Sequence, residues 1–197
     1  PKFAIMNPEI TYTLPDYQTQ CGCADIMMHT MERYFVLEDT MEITDKIAQD
    51  VMKNVMKYAK ILKKDPENYE ARAEIMWCGS LSHNGLTGCG TCGGDWATHL
   101  IEHELGGMFD VAHGAGLAAV WGSWARYVMD EKPERFAQFA VDVMGVEESD
   151  DVKSTALKGI EAVEEFYRMI EMPTNMKELG IDPTDEQIKD MAMKAMN

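Results

Sequence analysis

Several things are scarce in this 197-residue chain, and each scarcity excludes something. No apolar run approaches 18 residues, so no transmembrane helix is expected. Basic residues are few, 18 Lys and Arg against 34 Asp and Glu, giving a formal charge of −16. A surface that negative repels phosphate backbones and anionic lipid, which argues against nucleic-acid and membrane partners. Five cysteines in a chain of this length make no secreted disulfide framework, so a reducing cytoplasm is the expected compartment. No Gly-x-Gly-x-x-Gly follows a strand and no P-loop is present, so nothing here builds a nucleotide-phosphate site unaided. No Glu-x-x-His occurs, which fails the ferritin-like di-iron pattern. Gly107 stands where a zincin would need its second histidine after His103-Glu104. The opening Pro1-Lys2-Phe3 has neither an initiator methionine nor a signal-peptide pattern, and reads as a processing or cloning boundary.

What remains is ordinary globular chemistry, 46% hydrophobic and 26% charged, rich in methionine at 17 residues. Methionine fills irregular gaps, so we expect it in the core. The pattern is helical almost throughout. Tyr17, Cys21, Ala24, Met28, Met31 and Phe35 recur at three- and four-residue steps. Further helices are expected at about 41–64, 68–86, 96–109, 113–129, 133–144, 151–171 and 185–196. Residues 1–14 read as extended, either a strand remnant or a lead-in loop. Ile47 and Val152 are expected to face inward. The four glycines of Thr87–Gly94 mark the clearest break, and Asp95 is placed to cap the helix that follows. With no period-two strand after residue 14 and no linker, the expected fold is all-α, one helical bundle over residues 1–197.

Histidine is the informative residue type. There are five: His29, His83, His99, His103 and His113. His99 and His103 are four apart and share a helix face, as do Asp25 and His29. His113 opens the next helix, after a turn loosened by Gly106 and Gly107, and can fold back towards His99. A carboxylate with several imidazoles suits a borderline divalent cation such as zinc or ferrous iron. Asp25 strengthens this reading, because it interrupts the apolar run Gly22–Met28, where an uncompensated charge is costly. Cys89-x-x-Cys92 has no second Cys-x-x-Cys to complete a metal site, and packing or surface thiols are the simpler reading. Cys21, one turn before Asp25, and Trp96 are candidates for the surroundings of the site.

Asp95-Trp96-Ala97-Thr98-His99, His103-Glu104-Leu105 and His113-Gly114 together resemble the iron-containing (group III) alcohol dehydrogenases, in particular their butanol and aldehyde dehydrogenase branch. Asn7-Pro8-Glu9, Tyr12-Thr13-Leu14-Pro15, Asp25-x-x-x-His29-Thr30 and Asn84-Gly85-Leu86 look like the same family, so the resemblance runs from residue 1 to about 180. It implies an N-terminal dinucleotide-binding domain, absent from this sequence, followed by a dehydroquinate synthase-like all-helical domain that carries the metal. The chain looks like the second domain, stopping short of the family's usual last helix. By position, the resemblance makes Asp25, His29, His99 and His113 the ligands of Fe2+ or Zn2+. It places His103 between metal and nicotinamide, as a catalytic and cofactor-contacting residue and not a ligand. The implied reaction is hydride transfer between a primary alcohol or aldehyde and NAD(P)H, with the cofactor held by the other domain and the isolated chain inactive. A homodimer stays open, since the family often pairs through its N-terminal portion. The alternative function is a non-catalytic helical metal-binding or interaction module.

Overall fold

A computed structural model describes residues 2–37 and 41–196, so the Pro1 boundary lies outside the described residues. Among them no strand is present, and the residues form α-helices joined by short links. In chain order these are α1 (Asp16–Tyr34), α2 (Glu42–Leu62), α3 (Tyr69–His83), α4 (Ala97–Phe109), α5 (His113–Val128), α6 (Pro133–Asp142), α7 (Val152–Met169), α8 (Met176–Leu179) and α9 (Asp185–Ala195). The all-α expectation is met. Within the stretch read as extended, residues 2–7 have no regular structure and Pro8–Thr11 is a 3-10 turn, because Asn7 accepts the Glu9 N–H and Pro8 presets the first turn.

α1 is the central helix and packs against α2, α3 and α5. Thirteen of its nineteen residues are buried, more than one amphipathic stripe supplies, so it is covered on several sides. Met27, Met28, Met31 and, from α2, Met52 are fully buried, which places part of the methionine content in the core. Trp121, Phe139, Ile160 and Tyr167 close that core from α5, α6 and α7. The expected inward stripe of α7 is buried from Ala156 to Ile170, but Val152 is exposed at its first turn. Ile47 is only half-buried, since Thr44, Asp45, Ala48 and Gln49 take the inner face there. Asp45 forms a fork-to-fork pair with Arg135 at 2.6 and 2.7 Å, tying α2 to α6.

One crossing matters more than the rest. α5 begins against the middle of α1, and a Cβ on Gly114 would stand 2.0 Å from the Cys21 carbonyl oxygen. Only glycine lets the two backbones approach so closely. The same crossing delivers His113 to the level of Asp25, one turn along α1.

Candidate metal centre

Three helices build the site. α1 presents Asp25 and His29 four residues apart on one face, α4 presents His99, and the first residue of α5 is His113. Their side chains converge on one oxygen. Asp25 Oδ1 lies 3.6 Å from His29 Nε2, 3.7 Å from His99 Nε2 and 3.4 Å from His113 Nε2. Donors about 2.1 Å from a shared tetrahedral centre stand about 3.4 Å from one another. The spacing therefore suits ligands around a cation. It is too long for the hydrogen bonds those atoms would otherwise need.

Two of these atoms are orphans. Asp25 Oδ1 and His99 Nε2 are buried with no hydrogen-bond partner. Buried polar atoms are rarely left unpaired, and a cation between them satisfies both at once. The donor set of one carboxylate and three imidazoles also fits a borderline divalent ion.

The next layer sets each ring. Glu32 Oε1 accepts from His99 Nδ1 at 3.1 Å and from the His99 backbone N–H at 3.1 Å. Glu102 Oε2 accepts from His113 Nδ1. Both carboxylates are almost wholly buried. Each holds its histidine with Nδ1 protonated, leaving the Nε2 lone pair aimed inward (the carboxylate–histidine pairing common at metal sites). Glu102→Gln keeps the shape but weakens this hold. We expect divalent-ion affinity to fall about 10- to 100-fold, with little change in helicity, checked by calorimetric titration and circular dichroism.

Electrostatics follow from the same contacts. Burial alone pushes the Asp25 carboxyl up, but the His113, His83, His99 and His29 rings facing it outweigh that and hold it well below the usual carboxylate range. Burial lowers His29 to about 4 against the pull of Asp25, so this ring is neutral at physiological pH. The Asp25 carboxylate facing it and the Glu102 carboxylate bonded to it raise His113 to about 10. A cation bound there would compete with a proton at His113 and release it.

Trp96 closes one side. Its ring meets His29 at 5.3 Å and His99 at 5.1 Å between centroids, and the Arg33 guanidinium lies 4.6 Å over it. The residue adopts a left-handed backbone (φ 66) directly before α4. That strain is offset by its ring packing and by the Nε1–H, which donates to Gly93 O at 3.0 Å. Asp95 does accept the first helical N–H, from Ala97 at 3.0 Å, but Trp96 occupies the cap position itself. Gly94 is held at φ 118, with no room for a Cβ between Trp96 and Glu32 O. The glycine loop is thus pinned to α1, and the Asp95 N–H donates to Glu32 O at 3.0 Å.

The other candidates fall as follows. His103 is exposed, with its ring 5.5 Å from that of His113 and 6.2 Å from that of His99. It stands beside the converging donors and outside them. Cys89 and Cys92 are free, exposed thiols. Cys21 faces Met172 with its thiol, Sγ to Sδ 3.8 Å, and reaches the site only through its carbonyl against Gly114. An open groove of about 380 Å³ has Asp25 and His83 in its lining beside Leu14, Ile26, Ile75 and Met76.

Sequence reasoning missed three contributors. Glu32 lies seven residues after Asp25, on the same face of α1, and Glu102 lies three after His99. Helical spacing could have found both. His83, on α3, had no such signal.

Residues 19–197 match the model of the Fe-containing alcohol dehydrogenase family, C-terminal. NADH-dependent butanol dehydrogenase A of Clostridium acetobutylicum is 36% identical over 92% of this chain and 46% of its own length. The NADPH-dependent aldehyde reductase YqhD of Escherichia coli is 34% identical over 92% of this chain and 46% of its own length. The crystal structure of NADH-dependent butanol dehydrogenase A from Thermotoga maritima superposes with a TM-score of 0.92 at 37% identity, covering all of this chain and 48% of that one. The chain spans about half the length of the relatives it matches. With nearly its whole length inside the family model and its helices superposing on a solved member, the chain belongs to the iron-containing alcohol dehydrogenase family and corresponds to its C-terminal part.

Proposed function

We propose that this chain is the metal-binding catalytic part of an NAD(P)-dependent alcohol dehydrogenase that interconverts primary alcohols and aldehydes. The single observation that carries the reading is the convergence of three imidazole Nε2 atoms on the orphaned Oδ1 of Asp25. Asp25, His29, His99 and His113 would hold a divalent iron or zinc ion, which when bound supplies Lewis-acid polarisation of the substrate oxygen. The nicotinamide cofactor, held chiefly by a dinucleotide-binding domain, supplies the hydride chemistry.

The chain's own residues do the rest. Glu32 and Glu102 keep the His99 and His113 rings turned to the centre. Trp96 and the overlying Arg33 exclude water from the His29 and His99 side. His103, exposed beside His113, would move a proton between the substrate oxygen and solvent through its ring nitrogen and would contact the nicotinamide when the cofactor is bound. Residues 1–197 act as one metal-binding domain, and turnover requires the dinucleotide-binding domain as well.

The test uses the 197-residue chain. One equivalent of Zn2+ or anaerobic Fe2+ should bind, and at 1,000 times Kd it should stabilise the fold by about 4 kcal/mol, read as a rise in Tm that a chelator reverses. The same sample with NADH and butanal should show no turnover. Unchanged Tm in excess metal would remove the metal centre, and turnover by the isolated chain would remove the requirement for a second domain.

A further inference from the structure

His83 is absent from the donor set above, yet the structure ties it to that set on two sides and to its own helix on a third. Its Nε2 lies 3.1 Å from Asp25 Oδ2, the oxygen that the other imidazoles do not face. Its ring stacks on His29 at 3.8 Å between centroids, with the planes tilted by 34°. Its Nδ1 is anchored to its own helix, 2.9 Å from Gly79 O and 2.7 Å from Ser82 Oγ. Carboxylate and carbonyl oxygens only accept, so the contacts to Asp25 Oδ2 and Gly79 O put a proton on each ring nitrogen of His83, Nε2 included.

We propose that His83 is a positioning residue for the metal centre. Its N–H occupies Asp25 Oδ2, so that Asp25 offers the cation Oδ1 alone. This inference rests on the metal-centre reading of Asp25, His29, His99 and His113. The physical argument concerns the two oxygens of one carboxylate. A carboxylate binds cations through one oxygen or both. The three imidazoles already gather at Oδ1, at 3.4 to 3.7 Å. A fourth imidazole on Oδ2 makes the second oxygen a hydrogen-bond acceptor and keeps it from becoming a fifth donor. Asp25 and His83 both line the open groove, so without His83 that oxygen would meet solvent or the ion. Helix α3 thus contributes to the centre although it supplies no ligand, and it does so across 58 residues of sequence.

Cobalt(II) is the probe, because its visible absorption is strong in four-coordinate sites and weakens as coordination rises. Three variants of the 197-residue chain are compared with the parent. His83→Ala removes both the donor and the ring. His83→Phe keeps a ring on His29 but has no N–H. His83→Gln restores an N–H near Oδ2. The expected result is a 10- to 100-fold loss of Co2+ affinity and a weaker, shifted visible spectrum in the Ala and Phe variants, with both properties recovered in His83→Gln. His83 is substantially exposed, so all three should fold, and circular dichroism checks this. Parent affinity and spectrum in His83→Phe would overturn the inference and assign the contact to ring packing. A Gln variant that behaves as Ala would overturn it as well. If the parent chain itself takes up no Co2+, the metal-centre reading falls first, and that outcome is distinct from a bound parent with indifferent variants.

Discussion

His99→Ala should abolish divalent-ion binding and destabilise the protein as well, for separable reasons. His99 is buried, and its Nε2 is one of the two orphaned atoms at the centre, so truncation removes one of the four converging donors. An affinity loss of at least about 100-fold is expected, beyond the range seen for supporting residues. The stability effect comes from the far side of the ring. Glu32 is 1% exposed, and its Oε1 is held by the His99 ring and backbone N–H. Without the ring N–H a buried carboxylate is left short of a donor, a change that costs about 3 kcal/mol for a charged group. For a domain of this size, that lowers Tm by roughly 10 °C. The double variant His99→Leu with Glu32→Leu separates the two effects. Removing both polar partners should recover most of the stability and none of the metal binding. Thermal melts with and without Zn2+ on the three proteins measure both. Full stability in His99→Ala would mean that Glu32 does not depend on the ring.

Gly114→Ala is the second large effect, and here the cause is steric. The new methyl would lie 2.0 Å from the Cys21 carbonyl oxygen, which is backbone and cannot rotate away. Ordinary contact requires α5 to move off α1 by more than about 1 Å. Overpacking of this kind costs about 1–3 kcal/mol or more. Because His113 is the preceding residue, the shift also draws its Nε2 away from Asp25, and metal affinity should fall well beyond what the lost stability explains. Gly22 is the control. It is exposed in the middle of α1, next to Cys21, and a Cβ there meets nothing within 4 Å. Gly22→Ala should stabilise the helix by up to about 1 kcal/mol. Denaturant melts of the pair decide the matter. Destabilisation of similar size at both positions would show that the crossing at Gly114 is not as tight as its geometry implies.

The helices were legible because their causes are local. The spacing of apolar residues along α1 and α7, Asn68 and Asp151 as caps, and Pro66 after α2 act within a few residues, and backbone hydrogen bonding follows from them. The same locality paired Asp25 with His29. It could not rank His103 against Glu102, since both share a face with His99 at helical spacing. Burial ranks them: Glu102 turns inward to His113 and His103 stays outside.

The amino-acid order alone was enough for the helical class, the family resemblance and the short-range pairs. Tertiary packing decided which pairs meet. Asp25 reaches His99 across 74 residues, and the approach depends on the bare Cα of Gly114 against Cys21 O, on Trp96 held beside His29 and His99, and on α3 carrying His83 to the second oxygen of Asp25. Such contacts have no sequence period. They follow from how closely two backbones can approach and from the cost of leaving a buried charge without a partner.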